Sequence, residues 1–495
     1  MFLISYNLII RDHINTDLEM LTLQRKTVYS FGFTVYHIQV MLEDTIIAVS
    51  TAPGYGGLGI VRLSGDRALA IAKKIFTPKR ASAEIPPCQP LLGYLVNRNQ
   101  KERYDTAYIT FFPAPNTYTR EDVVEISCHG SPVILEETVR LGIKAGARHA
   151  RPGEFTLRAY LHGRVDILQA EAINDMIMAT SLAQAKISFR QMEGGLSKKI
   201  QTLRNTLIHL LSQIEATIEF PDEGLKISLS HIQKTLANAI SAVDKLVKSY
   251  DFGKTLSEGM ILAITGKTNV GKSTLFNALL DRDRAIVTPY PGTTRDYLSE
   301  QIKIQDSIFS LIDMAGWGKA TGHIEKAGIR RGQRLAQKAD GILLVLDASQ
   351  KETAEDISLV KKFQKQNTIL LLNKIDLPQK MDLQAIKALA PQLPVLEVSA
   401  LKRSNLKNLE KTIGDRFIPD QKRNENVILH LRQKLLLQDV RDTLHKTLKL
   451  IKKGYTEEVF AEEVRRSLPA LSELVGDIHT DDVLTDIFSR FCVGK

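Results

Sequence analysis

Five short stretches combine residue types and spacings suited to holding a nucleotide. Gly266-Lys267-Thr268-Asn269-Val270-Gly271-Lys272-Ser273 follows the apolar run MILAIT and precedes TLFNALL, so it reads as strand, glycine-bearing loop and helix. In that setting backbone N–H groups curl around a β-phosphate, and the helix N-terminus adds partial positive charge. Lys272 reaches the β/γ oxygens and the Ser273 hydroxyl ligates Mg²⁺. Gly292-Thr293-Thr294-Arg295-Asp296 suits a loop that sets the Thr294 hydroxyl on Mg²⁺ beside the γ-phosphate. The next apolar strand ends in Asp313-Met314-Ala315-Gly316, a carboxylate for the metal's water shell followed by an N–H that reads the γ-phosphate. TILLLNKID then supplies Asn373, Lys374 and Asp376. Asp376 accepts both N1–H and the exocyclic amine of guanine, a donor pair that adenine does not present, which selects GTP over ATP. Ser399-Ala400-Leu401, after the strand PVLEV, brings backbone groups to guanine O6. The residues expected to contact GTP are Asn269, Val270, Gly271, Lys272, Ser273 and Thr274; Thr288, Pro289, Tyr290, Pro291, Gly292, Thr293 and Thr294; Asp313, Met314, Ala315 and Gly316; Asn373, Lys374 and Asp376; and Ser399, Ala400 and Leu401.

The hydrolytic machinery departs from the usual pattern. Ras-type proteins place a water-orienting glutamine after D-x-x-G, whereas Trp317 stands here. Either hydrolysis is slow or the polar group comes from elsewhere. Glu325 lies in the segment that would form the second switch, where it serves as that group or is a solvated helix acid.

These loops need a parallel sheet to hold them, and the chain is long enough to provide more than that. Its 495 residues suggest about three domains. With 43% hydrophobic and 25% charged residues, a disordered, collagenous or coiled-coil chain is excluded. A net charge of +10 is compatible with a nucleic-acid partner. Cys88, Cys128 and Cys492 lie far apart without C-x-x-C spacing, which argues against a disulfide framework or structural zinc and for a reducing, cytoplasmic setting. No run approaches a membrane span.

Residues 1–40 carry neither signal-peptide nor transit-peptide character and read as an extension, either upstream translated sequence before a natural start at Met41 or a genuine accessory arm. Residues 41–160 alternate strands with helices such as 131–145 and form an α/β domain. Gly54, Gly56 and Gly59 match G-x-G-x-x-G, but residues 60–63 continue as a β-branched strand where a dinucleotide site needs a helix, so the glycines read as a loop between strands. Arg62, Glu125, His129 and Arg164 form no catalytic motif by spacing, and Cys128-His129 reads as structural. Leu196, Ile200, Leu203, Leu207, Leu211, Ile214 and Ile218 recur at helical spacing, as do Ile232, Leu236, Ile240, Val243 and Val247. Helical patterns return over 428–451 and 483–491, the latter with Thr480 as N-cap. The expected organisation is the extension over 1–40, the α/β domain over 41–160, a first helical segment over 161–255, an inserted nucleotide domain over 256–418, and a second helical segment over 419–495. By position Cys492 reads as an exposed thiol, a candidate for a catalytic role.

From residue 41 to the end the chain resembles the MnmE (TrmE) family of tRNA-modification GTPases. The resemblance rests on TIIAVSTAPGYGGLGIVRLSG, YTREDVVEISCHG, ARPGEFTLRAYLHGRVDILQAEAI, FPDE at 220–223, GTTRD within the nucleotide motifs, and the terminal FCVGK. It implies an α/β multidomain fold: an N-terminal α/β tetrahydrofolate-binding and dimerisation domain, a discontinuous helical bundle, and an inserted Ras-like P-loop G domain with a mostly parallel sheet. It implies a folate, 5-formyl- or methylene-tetrahydrofolate, held by Arg62, Glu125, Arg164 and Lys495. The family often has lysine at Arg164, glycine at Arg120 and a second glycine at Ser131. The family's C-terminal cysteine falls on Cys492.

For the G domain the resemblance implies K⁺-dependent hydrolysis, with Asn269, Thr288, Tyr290 and Thr293 around the ion and G-domain dimerisation as activator. Glu325 matches the acid that replaces the missing glutamine and, with Lys272, would be catalytic. The implied partners are a second copy, the flavoprotein MnmG (GidA) with its FAD in a heterotetramer, and tRNA, without a membrane. The implied product is a 5-carboxymethylaminomethyl or aminomethyl uridine at wobble position 34. A ribosome-assembly GTPase without modifying activity is the alternative, but neither flank carries the expected RNA-binding module such as a KH fold. A third reading is an aminomethyl transferase that works without the flavoprotein.

Overall fold

The computed structural model describes residues 44–80, 84–97, 102–220, 227–283, 299–305, 307–313, 339–418, 427–476 and 481–495. Two compact units emerge. One takes the chain through Asn174 together with Gln191–Ile240 and Asp439–Lys495; the other takes Asp175–Arg190 and Ser241–Gln438. The helical flanks are thus shared between the units, and several helices run through the division.

The first unit opens with β1 (Ile46–Val49), β2 (Gly56–Ser64), α1 (Ala68–Ile75), β3 (Phe76–Pro78), β4 (Leu91–Asn97), β5 (Glu102–Phe112), β6 (Val123–Gly130), α2 (Pro132–Lys144) and β7 (Arg148–His149). The strands form one sheet in the order β3-β4-β5-β6-β2-β1-β7, antiparallel except where β7 runs parallel to β1. Period-two alternation sends Val124, Ile126 and Cys128 of β6 to one face, where they pack with Ile71 and Ile75 of α1 and Leu135 and Val139 of α2. The expected helix over 131–145 is present, with Ser131 and Ala145 as its caps.

On the opposite face, Ile46, Ala48, Ala150 and Phe155 are buried where α3 (Glu154–Leu161) lies. Arg158 of α3 is 1% exposed and donates to Glu121 Oε1 at 3.0 Å and to the Asp44 carbonyl at 2.8 Å. Its other nitrogen bonds Asp44 Oδ1 and Glu154 Oε1, the latter at 3.2 Å. Arg148 bridges Asp44 and Glu154 from the other side, and the Ser64 hydroxyl donates to Glu121 at 2.6 Å. A buried guanidinium with three carboxylates is tolerable because nearly every donor finds an acceptor.

The chain continues through α4 (Ile167–Ile177), α5 (Leu182–Met192), α6 (Gly195–Glu219) and α7 (Leu229–Glu258). In the second unit follow β8 (Met260–Thr265), α8 (Lys272–Asp283), β9 (Ser299–Ile304), β10 (Ser307–Asp313), β11 (Gly341–Asp347), α9 (Ala354–Phe363), β12 (Thr368–Asn373), α10 (Leu383–Leu389), β13 (Val395–Glu397) and α11 (Leu406–Phe417). This sheet has the order β13-β12-β11-β8-β10-β9 and is parallel except at its β9 edge. Its central strands read as unbroken apolar runs, ILAIT, ILLVL and TILLL, because both faces are covered.

The chain closes with α12 (Leu431–Lys452), α13 (Glu457–Val475) and α14 (Asp481–Ser489). In the first unit α13 packs along α6, tied by Arg204 Nε to Ser472 Oγ at 2.8 Å and by Thr217 Oγ1 to Glu457 Oε2 at 2.8 Å. The apolar spacing of α6 therefore serves a partner that lies far away in sequence. The helix expected from Ile428 begins later, at Leu431. Residues 427–429 are buried and extended, and the Ile428 N–H is taken by the Ser249 hydroxyl of α7 at 3.1 Å. Thr480 lies outside the described residues.

Removing Arg158 takes the guanidinium from the buried Glu121 and one of two guanidinium partners from Asp44 and Glu154, so Arg158→Ala is expected to cost about 3–5 kcal/mol in urea-monitored unfolding of the first unit. The same network sets a pH dependence. Burial alone would raise the Glu154 and Asp44 carboxyls, but their hydrogen bonds to Arg148, aided by Arg158, outweigh it and hold both below their ordinary values of 4.5 and 3.8. Groups with depressed folded-state values stabilise the fold above the unfolded carboxylate range and lose that contribution as pH falls through the folded values. Urea titrations at descending pH are expected to show steeper acid loss in wild type than in Arg158→Ala.

Candidate nucleotide and folate sites

β8 ends at Thr265 and α8 starts at Lys272, so the intervening loop is strung between a central strand and a helix N-terminus. Its turn is set by Gly266, Asn269 and Gly271, all at positive φ. At Gly271 only hydrogen fits, since a Cβ would lie 2.3 Å from Asn373 Nδ2. Val270 is buried in the core, while Asn269, Ser273 and Thr274 are exposed. The buried Lys272 ammonium donates to the Gly266 carbonyl at 3.0 Å and to the Lys267 carbonyl. An ammonium held on loop carbonyls at a helix N-terminus stands ready for an anion.

Asn373 is 2% exposed and joins three of the expected motifs. Its Nδ2 donates to the Val270 carbonyl at 2.8 Å, and its Oδ1 accepts from Ala400 N at 3.0 Å. Asp376 is exposed, and its Oδ1 accepts from the buried Ser399 hydroxyl at 2.6 Å. Ser399 Oγ in turn accepts from Lys402 N at 3.1 Å. That pair orients a carboxylate toward solvent with its second oxygen available for a base edge. Leu401 is 72% exposed beside it.

Lys374 sits at positive φ and its Nζ donates to Asp347 Oδ2 at 2.7 Å. Burial would raise the Asp347 carboxyl, but the Lys374 and Ser349 bonds hold it below 3.8, so the pair stays ionised. The Asp347 contact has no motif signal in the sequence beyond an acid at a strand end. Asp313 ends β10 opposite Ile264 of β8, next to the loop. Thr288, Pro289, Tyr290, Pro291, Gly292, Thr293, Thr294, Met314, Ala315, Gly316 and Glu325 lie outside the described residues.

A second constellation gathers in the first unit. Arg62 of β2 and Glu125 of β6 are opposite one another in register and bonded at 2.9 and 2.7 Å. The chain's last residue reaches them: burial lowers the Lys495 ammonium from 10.5, the nearby Arg62 charge lowers it further, and Cys492 and Glu125 act the other way. Tyr118, bonded to Thr156 at 2.9 Å, is raised above 10 by burial, opposed by that bond and by the charges of Arg62 and Arg164. Arg164 itself is exposed. Register and hydrogen bonds thus join Arg62 to Glu125, while Arg164 and Lys495 act on this region through their charge. Arg120 adopts φ +63°, the left-handed region where glycine is at ease, and donates to the His162 carbonyl at 2.8 Å.

Three expectations are refined. Cys492 is half-buried, because FCVGK lies along the start of the sheet: Val493 bridges to Pro152, the Ser50 hydroxyl donates to the Gly494 carbonyl at 3.1 Å, and Phe491 is buried. Cys128 points into the core, where burial pushes its thiol up to about 12, while His129 points the other way and bonds Asp105 at 2.6 Å. Of the G-x-G-x-x-G glycines only Gly54 precedes the strand. Gly56 and Gly59 lie within β2, where a Cβ on Gly59 would meet the Leu135 side chain at 2.7 Å.

A family model described as the MnmE helical domain matches residues 167–492, and one described as the GTP-binding protein TrmE N-terminus matches residues 45–164. The chain is 39% identical over 464 residues to the tRNA modification GTPase MnmE of Thermoanaerobacter sp. (strain X514), an alignment covering 92% of this chain and 100% of that protein. It is 37% identical over 456 residues to the protein of the same name from Aquifex aeolicus (strain VF5), covering 92% and 100%. Among solved structures, the G domain of the T. maritima FeoB iron transporter aligns at 26% identity and a TM-score of 0.25, covering 32% of this chain and 98% of that one.

Asn373→Ala would leave Val270 O and Ala400 N unpaired in a buried setting, at about 1–3 kcal/mol each. GDP affinity measured by calorimetric titration is expected to fall by about tenfold or more.

Proposed function

The chain belongs to the MnmE family of tRNA modification GTPases, and from that premise we propose that its hydrolysis is K⁺-dependent, is activated when two G domains meet, and gates wobble-uridine modification with a folate one-carbon donor. It is a GTPase of tRNA modification with a P-loop nucleotide domain. No helix among the described residues is long and apolar enough to cross a membrane.

The observation that carries the hydrolytic reading is the placement of Asn269, exposed at positive φ in the phosphate loop, four residues before Ser273. Its amide oxygen and the Ser273 hydroxyl are hard oxygen donors of the kind that suit K⁺ and Mg²⁺. Ser273 with Thr294 would hold Mg²⁺; Asn269 with Thr288, Tyr290 and Thr293 would hold K⁺. When bound, these ions supply positive charge beside the phosphate oxygens as the γ-phosphate bond is broken. Lys272 adds its ammonium at the β/γ oxygens. The Glu325 carboxylate positions the attacking water through a second water, the task that Trp317 cannot perform. Asp376, steadied by Ser399, reads the guanine edge.

For the folate, the residues fit the group. Arg62 and the partly desolvated Lys495 ammonium offer cationic donors for an anionic ligand group. Glu125 offers an acceptor for amine and N–H donors of a pterin. The cytoplasm, a second copy of the chain, the flavoprotein MnmG with its FAD, and tRNA complete the proposed setting. A match that spans whole relatives named for tRNA modification favours this reading over a ribosome-assembly switch.

GTP turnover measured in KCl and NaCl at equal ionic strength tests it. Strong stimulation by K⁺ that Glu325→Ala abolishes is the expected result. Equal slow rates in both salts would overturn the hydrolytic reading.

A further inference from the structure

The position of the Lys272 ammonium depends on the peptide that holds it. One of its two carbonyl acceptors belongs to Lys267, the second residue of the phosphate loop. That residue is itself fastened. Lys267 Nζ donates to Asp356 Oδ2 at 2.7 Å and to the Thr353 hydroxyl, and the two ionised side chains are 18% and 4% exposed. Thr353 and Asp356 form the reciprocal cap of α9: Thr353 N and Oγ1 each donate to Asp356 Oδ2 at 2.9 Å, and Asp356 N donates back to Thr353 Oγ1 at 3.5 Å. A capping box closes a helix without any third group. A lysine in a surface loop is ordinarily solvated, so an ion pair to an almost fully buried acid is a constraint on the loop and not a need of the helix.

We propose that Lys267 and Asp356 are positioning residues for the nucleotide's phosphates: the cap of α9 anchors the Lys267 side chain, and the Lys267 carbonyl thereby aims Lys272. The inference rests on the phosphate-loop reading. It assigns to the β11–α9 connection, which carries none of the nucleotide motifs, a role in phosphate affinity. The effect falls on binding, since the clasp acts on the resting position of the Lys272 ammonium in the phosphate loop. Asp356→Asn keeps an acceptor for the cap but removes the charge, and Lys267→Arg keeps the charge.

The test uses the full chain and two readouts, the Kd for GDP and the separate KM and kcat for GTP. Lys267→Ala and Asp356→Asn are expected to raise Kd and KM by about fivefold or more with kcat within about twofold, as befits a charge-assisted contact. Lys267→Arg is expected to bind like wild type. The double variant is expected to be no weaker than the weaker single one, because both remove the same contact. Unchanged Kd and KM in the single variants, additive losses, or a fall in kcat alone would overturn the proposal. So would an equal loss in Lys267→Arg accompanied by a lowered nucleotide-free melting temperature. Lys272→Ala separates the premise from the proposal: if wild type fails to bind GDP, or Lys272→Ala binds as wild type does, the phosphate-loop reading itself fails.

Discussion

A single carboxamide spans the place where the phosphate loop, the guanine-reading loop and the Ser399-Ala400-Leu401 turn converge. Asn373 donates to Val270 and accepts from Ala400, and it is shielded from water. Buried backbone groups must find partners, and loops, unlike strands, cannot supply them to each other along a ladder. One side chain with a donor and an acceptor on opposed atoms solves this for two loops at once. The rest of the site follows from that junction: Gly271 is glycine because Asn373 occupies its Cβ space, and Ser399 lies where it can steady Asp376.

The sheet beneath makes such a junction possible. Parallel strands deliver their C-terminal ends to one edge, so loops after β8, β11 and β12 gather there although long stretches of chain separate them. The connection after β11 contributes through charge. Asp347 takes Lys374, and Asp356 takes Lys267. Each pair joins this connection to a nucleotide loop, and each is only partly exposed, where an ion pair has more effect than on an open surface.

The first unit uses ionised groups in two different ways. Around Arg158 two guanidinium groups meet three carboxylates, Arg158, Glu121 and Glu154 being buried, and the network holds α3 to the sheet. Around Arg62 the ion pair with Glu125 lies near the chain's last residue, whose ammonium is partly desolvated. The terminal FCVGK belongs to this second arrangement, since its contacts with Pro152 and Ser50 bring Lys495 back to the sheet.

The sequence by itself determined the element types, the nucleotide motifs and the family. These are local patterns: apolar runs of six, helical spacing in α6, and loop residues adjacent to one another in the chain. The late start of α12 and the half-buried state of Cys492 were not legible, because each depends on a remote partner, Ser249 for the first and Pro152 with Ser50 for the second. Gly59 of the G-x-G-x-x-G stretch illustrates the same limit, since its need for space comes from Leu135 and Gly130 of a neighbouring strand. Only the tertiary structure decided which cations meet which acids: that Lys267 reaches Asp356 and that Lys374 reaches Asp347. A charge has no sequence period, and its partner is fixed by where the backbone folds, so no spacing rule could have announced it.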